Sequence, residues 1–158
     1  MKEKKVLNKT ISLKCYNLED VSKEYQDLYH AAKMSANKAY AEYSKFRVGA
    51  SVLLEDGTIL SANNQENVAY PSGLCAERTV LFYTHAQYPD KKIKAIAIYS
   101  PDAQNLLTPC GACRQVMIEY EHLQKQNITT IIFQNNEVFI LDSVKDWLPF
   151  EFNEPLKK

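Results

Sequence analysis

The sequence has no surplus of either charge: 19 lysines and arginines are matched by 19 aspartates and glutamates. Proteins that grip nucleic acid draw most of their affinity from neutralised phosphates, so this balance argues against a nucleic-acid partner and favours a small, weakly charged substrate. Long apolar stretches are missing as well. The run Ala95 to Tyr99 is far too short to span a bilayer, and Met1-Lys2-Glu3-Lys4-Lys5 is not followed by a signal-type apolar core. A cytoplasmic protein without a membrane partner is expected. There is no internal repeat or low-complexity segment, and 158 residues leave no room for a second domain, so residues 1–158 read as one domain with an N-terminal extension, 1–20, of unassigned role. Cysteine is scarce, at four residues. Without a secretion signal, metal ligation is a better use for them than disulfides.

Three of the cysteines lie in two short stretches, Cys75-Ala76-Glu77-Arg78 and Pro109-Cys110-Gly111-Ala112-Cys113-Arg114, each where a loop is expected to become a helix. Cys110 and Cys113 form a C-x2-C pair, and residues three apart on a helix share a face, so both sulfurs can reach one ion. Cys75 supplies a third ligand. A second C-x2-C, as in a zinc ribbon, is missing, and so is any His-x3-5-His. Structural zinc sites close with four protein ligands, whereas catalytic ones keep a position for water. Three thiolates therefore indicate one Zn²⁺ per chain in an open site. Glu77, two residues after Cys75, stands near the metal without sharing the thiolate's direction. A carboxylate placed there can take a proton from water and return it to a leaving group.

Three thiolates and Zn²⁺ sum to one negative charge, which weakens the acidification of a water at the open position. Helices beginning at the ligands offset this through their positive N-terminal ends and free N–H groups. Arg78 and Arg114 directly follow the motifs and can donate to sulfur, or can be solvated or paired with carboxylates.

An x-A-E segment combined with P-C-x-x-C is the signature of zinc deaminases. Cys75-Ala76-Glu77-Arg78-Thr79, Pro109-Cys110-Gly111-Ala112-Cys113-Arg114-Gln115-Val116, Phe46-x-Val48-Gly49-Ala50 and Asn64-x-Glu66-Asn67 together resemble the small, homotetrameric cytidine deaminases. The similarity runs from about Tyr25 to Phe152. It implies hydrolytic deamination of cytidine and 2′-deoxycytidine in pyrimidine salvage, with Cys75, Cys110 and Cys113 on zinc, Glu77 as proton shuttle and Arg78 supporting the thiolates. It also implies that Phe46 packs on the pyrimidine face, Asn64 and Glu66 meet the ribose hydroxyls, the Ala76 N–H meets the C2 carbonyl and the Thr108 carbonyl meets the amino group. Tyr70 lines the site or a subunit contact. Phe152 has the spacing of the family's C-terminal Phe that reaches a neighbouring subunit's site, with Phe150 as competitor.

The expected fold is α/β, a three-layer α/β/α sandwich with a mixed sheet of about five strands. Alternation over Thr10 to Tyr16 suggests a short extra strand. Helical spacing of Tyr25, Leu28, Tyr29, Ala32, Ala36, Ala39 and Tyr40 predicts a helix over about Ser22 to Ala41, capped by Asp20 or Ser22, with small residues suited to close packing on a sheet. Val48 to Leu54 and Ile59 to Ala62, joined through Asp56-Gly57, read as a hairpin. A helix from about Cys75 to Ala86 turns Val80, Leu81 and Tyr83 or Thr84 inward, with His85 structural or exposed and far from the metal. Ile93 to Tyr99 reads as a central strand. The second ligand helix runs to about Leu123 with Val116, Met117 and Tyr120 inward. Strands Thr129 to Gln134 and Glu137 to Leu141 follow, joined at Asn135-Asn136, then a short helix capped by Asp142 or Ser143. Cys15 reads as a small core or interface residue.

Two other readings stand beside this one. A structural zinc module would use Cys15 as fourth ligand and have no chemistry. A deaminase could act instead on another aminopyrimidine nucleoside, a nucleoside antibiotic or cytosine in nucleic acid, although a carboxylate at the sugar hydroxyls would repel a phosphate there.

Overall fold

The computed structural model describes residues 3–154. One end of its sheet is the hairpin of β2 (Gly49–Leu54) and β3 (Ile59–Asn63). Gly57 in the connecting turn has φ 87°, a left-handed conformation that glycine adopts without strain. β2 also pairs antiparallel with β4 (Ile93–Tyr99), so β3 and β4 point the same way. β5 (Thr129–Gln134) runs parallel to β4, and β6 (Glu137–Leu141) returns antiparallel to β5. The N-terminal strand β1 (Lys14–Asn17) pairs antiparallel with β6, giving a six-stranded mixed sheet of order β1-β6-β5-β4-β2-β3. The sixth strand is the extra one suggested for the N-terminus, shorter and shifted from Thr10–Tyr16. All four of its residues are exposed at the edge, Cys15 included. Of the two readings of Cys15, core or interface, the core one is thus corrected: among the described residues no second layer covers it.

Helices cover both faces, as the three-layer reading expects. α1 (Lys23–Ala36) places Leu28 and Tyr29 on Leu53, Ala95, Ala97, Ile131 and Phe133. α2 (Ala76–Gln87) and α3 (Gly111–Gln124) place Val80, Leu81, Met117 and Ile118 on Val52, Leu54 and Ile96. Each fully buried Leu, Val, Ile or Met among them contributes about 1.5–3 kcal/mol through apolar surface withdrawn from water. In α2 the inward residue is Thr84, whereas Tyr83 is half-exposed. The small residues of α1 lie where β2 crosses it: a Cβ on Gly49 would stand 2.0 Å from the Ala32 carbonyl oxygen and 2.6 Å from the Ala36 nitrogen.

α1 begins after Ser22 but ends at Ala36 rather than near Ala41. The apolar spacing continues to Tyr40, yet the backbone there forms other bonds. Tyr40 N donates to Asn64 O at 3.1 Å, and Glu66 N donates to Tyr40 O at 2.9 Å. Tyr40 consequently lies exposed beside the extension of β3 instead of inside.

Candidate active site

Because β3 and β4 point the same way, the segments leaving them emerge at one end of the sheet, and each begins a helix at a cysteine. Cys75 occupies the N-cap position of α2 and Cys110 that of α3, both with extended backbone, and Cys113 lies in the first turn of α3. The Cys75 and Cys110 sulfurs are 3.8 Å apart and those of Cys110 and Cys113 are 3.4 Å apart. All three lie within 4.8 Å of one another. A tetrahedral zinc with bonds of about 2.3 Å spaces its sulfurs about 3.8 Å apart. Donor type and spacing both fit zinc, and the two helix N-termini favour the thiolate form.

Hydrogen bonding from Cys113, with further help from Arg78 and Cys110, lowers the Cys75 thiol to about 5, although partial burial opposes the shift. Cys113 is pushed the other way, first because its proton serves Cys75 and next because it is buried. Proton loss from this cluster therefore couples to metal uptake. The Arg78 guanidinium stands 3.9 Å from the Cys75 sulfur. Arg114, the other arginine considered as a sulfur donor, turns instead to the carbonyls of Pro109 and Trp147 and the Thr108 hydroxyl. Glu77 is only 5% exposed. Burial raises its carboxyl to about 7, and the Cys75 charge acts in the same direction.

Phe46 and Thr108 line one cavity of about 280 Å³, together with Leu106 and Leu107. Glu66 and Tyr70 line a second cavity, of about 390 Å³, with Tyr43, Ser44 and Asn67. Tyr70 is exposed and packs edge-on to Tyr43 at 5.8 Å between ring centres. Asn64 accepts from Val48 N at 2.8 Å and donates to Phe46 O at 2.9 Å, fastening the Phe46 segment to the end of β3. Glu66 accepts from Tyr43 N at 2.8 Å, Ser44 N at 3.2 Å and the Ser44 hydroxyl. Those bonds, the hydroxyl's foremost, hold its carboxyl below the usual range. An amide and a carboxylate retain unused lone pairs and, for Asn64, a second N–H. Ala76 is buried at the first helical position of α2, where an N–H has no partner within the helix.

Phe150 and Phe152 are equally exposed and neither lines the two cavities. The Phe152 carbonyl accepts from Gln115 Nε2 at 2.9 Å, which lays the C-terminal segment against the start of α3. His85 lies at the far end of α2 against Tyr120, 5.3 Å between ring centres. Sequence reasoning overlooked Ser44 and the buried Glu121. The only available signal for Glu121 was an acid four residues after Met117, on the same inward stripe.

Fold and site together define a zinc-dependent deaminase, a hydrolytic enzyme. Residues 22–130 match the family described as the cytidine and deoxycytidylate deaminase zinc-binding region. The chain belongs to this family. It is 42% identical over 97 residues to a cytidine deaminase of Sporosarcina psychrophila, a match covering 61% of this chain and 70% of the relative. Its structure resembles that of a cytidine deaminase from Burkholderia pseudomallei, with a TM-score of 0.70 and 38% identity over 81% of this chain and 98% of the other. A cytidine deaminase from Mycobacterium tuberculosis superposes with a TM-score of 0.65 and 32% identity, over 82% of this chain and 98% of the other.

Proposed function

We propose that this chain hydrolyses cytidine and 2′-deoxycytidine to uridine and 2′-deoxyuridine with release of ammonia, Cys75, Cys110 and Cys113 holding one Zn²⁺ and Glu77 moving the protons. The observation that carries this reading is three sulfurs within 4.8 Å of one another beside a carboxyl that is 5% exposed. When bound, the ion supplies Lewis-acid activation of a water molecule.

Glu77, ionised, accepts a proton from the attacking water as the C4–O bond forms. It delivers that proton to N3 and carries the next to the departing amino group. A carboxyl raised to about 7 exchanges protons readily in both directions near neutral pH. The Ala76 N–H donates to the C2 carbonyl and the Thr108 carbonyl accepts from the C4 amino group. Phe46 supplies an apolar wall for the ring face. Arg78 steadies the Cys75 thiolate. Asn64, Glu66 and Tyr70 receive the sugar, with Phe152 contributed by a neighbouring copy.

The domain is single, and its working form is a cytoplasmic homotetramer with sites at subunit interfaces, serving pyrimidine salvage. Exposed Tyr40, Tyr43, Val68 and Tyr70 around the sugar cavity, with Phe150 and Phe152, support such contacts. Among the described residues no helix is long and apolar enough to cross a membrane.

The test combines zinc content per chain with the absorbance change on adding cytidine, for wild type and Glu77→Gln. Zinc in both with turnover in wild type alone supports the proposal. Zinc in both with no wild-type turnover moves the substrate to another aminopyrimidine or returns the chain to a structural module.

A further inference from the structure

α3 starts at its N-cap Cys110 and carries Cys113. Of its charged side chains Arg114, Glu119 and Glu121, none used by the proposed mechanism, Glu119 is exposed to solvent, whereas the other two, Arg114 and Glu121, are turned into the protein. Seven residues, two helical turns, separate them, so they project from one face. Across that face lies the 3-10 turn Val144–Trp147. Glu121, 1% exposed, holds its beginning, accepting from Val144 N at 3.1 Å and the Ser143 hydroxyl at 2.6 Å, and from Ile128 N at 2.7 Å. Arg114 holds its end, donating from Nη1 to Trp147 O at 3.1 Å with the guanidinium 5.4 Å from the centre of the Trp147 ring. The rest of the guanidinium points back toward the site. Nε donates to Pro109 O at 2.7 Å and Nη2 to the Thr108 hydroxyl at 3.1 Å.

We propose that Arg114 is a positioning residue for the reaction: it fixes Thr108 and Pro109, immediately before Cys110, against the turn Val144–Trp147, which Glu121 in turn fixes on α3. This rests on the reading of Cys110 and Thr108 given above. The need for such a brace follows from the local sequence. Residues 100–110 form neither helix nor strand, and Pro109 has no N–H to donate. A single planar guanidinium reaching three acceptors in fixed directions sets the Thr108–Pro109 backbone where a sheet ladder does not. Lysine, with one compact ammonium on a flexible stem, cannot reproduce that geometry. Groups that orient metal ligands without touching the ion commonly change affinity or activity by about 10–100-fold when removed.

The experiment uses the full chain and compares wild type with Arg114→Gln, Arg114→Lys and Glu121→Gln. It measures metal content, thermal midpoint, kcat and KM for cytidine, and the visible spectrum of the cobalt(II)-loaded protein. Both Arg114 variants are expected to keep the metal, lose about 10–100-fold in kcat/KM mainly through kcat, and shift the cobalt bands, with no rescue by lysine. Glu121→Gln is expected to shift the bands in the same direction, by less. Arg114 variants with wild-type kcat, KM and cobalt spectrum, whatever their thermal midpoint, would overturn the inference, as would full rescue by lysine. If Arg114→Gln fails to fold, Arg114→Lys still provides the reading. A wild-type protein that binds neither zinc nor cobalt defeats the site reading itself, a result distinct from an unaffected Arg114 variant.

Discussion

Arg47 meets Asp102 through its backbone and its side chain at once. Its amide N and Nε both donate to Oδ2 at 2.9 Å, and Nη2 donates to Oδ1 at 2.7 Å. The residue after Phe46 is thereby tied to the start of the loop that ends at Thr108, joining two segments that line the Phe46 cavity. Asp102→Asn is expected to raise KM for cytidine more than it lowers kcat, because the wall loosens while the sulfurs and Glu77 stay in place. The Arg47 guanidinium, and then its backbone N–H, hold the Asp102 carboxyl below its usual range. A depressed carboxyl adds stability that is present above the unfolded value of about 3.9 and lost as pH falls through the lower folded value. Thermal midpoints measured from neutral pH into acid should therefore fall less steeply in Asp102→Asn than in wild type below about pH 4. Equal acid slopes would contradict this.

Glu77→Gln keeps the shape of the buried side chain but cannot carry a proton. Expected are unchanged metal content and a fall in kcat of at least about 10²–10⁴-fold, the usual range for a lost general acid–base group. Loss of zinc together with activity would make Glu77 a ligand instead.

Cysteine substitutions separate the cluster from the edge. Cys110→Ser is expected to lower metal content and activity together, and dialysis of wild type against a chelator to abolish turnover until zinc is restored. Cys15→Ser is expected to keep both, since Cys15 is exposed on β1, the strand at the edge of the sheet. Zinc loss in Cys15→Ser would revive the structural module.

Gly49→Ala tests the contact between α1 and β2. The added Cβ would stand 2.0 Å from a backbone oxygen of Ala32, so helix and strand must separate. Overpacking of this kind costs at least about 1–3 kcal/mol. A chemical-denaturation midpoint at or above wild type would be inconsistent with the observed approach.

Much of this molecule was legible because its signals are local. Ile93–Tyr99, Thr129–Gln134 and Glu137–Leu141 are strands at the residues expected from their apolar runs and turn residues. The hairpin follows from Asp56-Gly57 between two such runs, and of the candidates Asp20 or Ser22 and Asp142 or Ser143 it is the serine that occupies the N-cap position in each case. The thiol set was legible for a similar reason: three sulfurs in two short motifs already indicate the kind of ion they fit. Other outcomes had no local signal. Tyr40 continues the spacing of α1, but its backbone bonds with Asn64 and Glu66 end the helix first. Cys15, read as a core or interface residue, lies on an edge strand that no layer covers among the described residues.

The two motif arginines mark the boundary between sequence and tertiary structure. Arg78 and Arg114 each directly follow a Cys-containing motif, and residue type alone assigns them the same options. One donates to sulfur while the other spans Thr108, Pro109 and Trp147. Glu121 likewise becomes a buried anchor only because Ile128, Ser143 and Val144 bring donors to it. Sequence by itself determined the chemistry, since ligand type and spacing are properties of a few adjacent residues. Tertiary structure alone decided where each charged side chain is used, since a charge settles on the donors and acceptors that distant segments bring within reach.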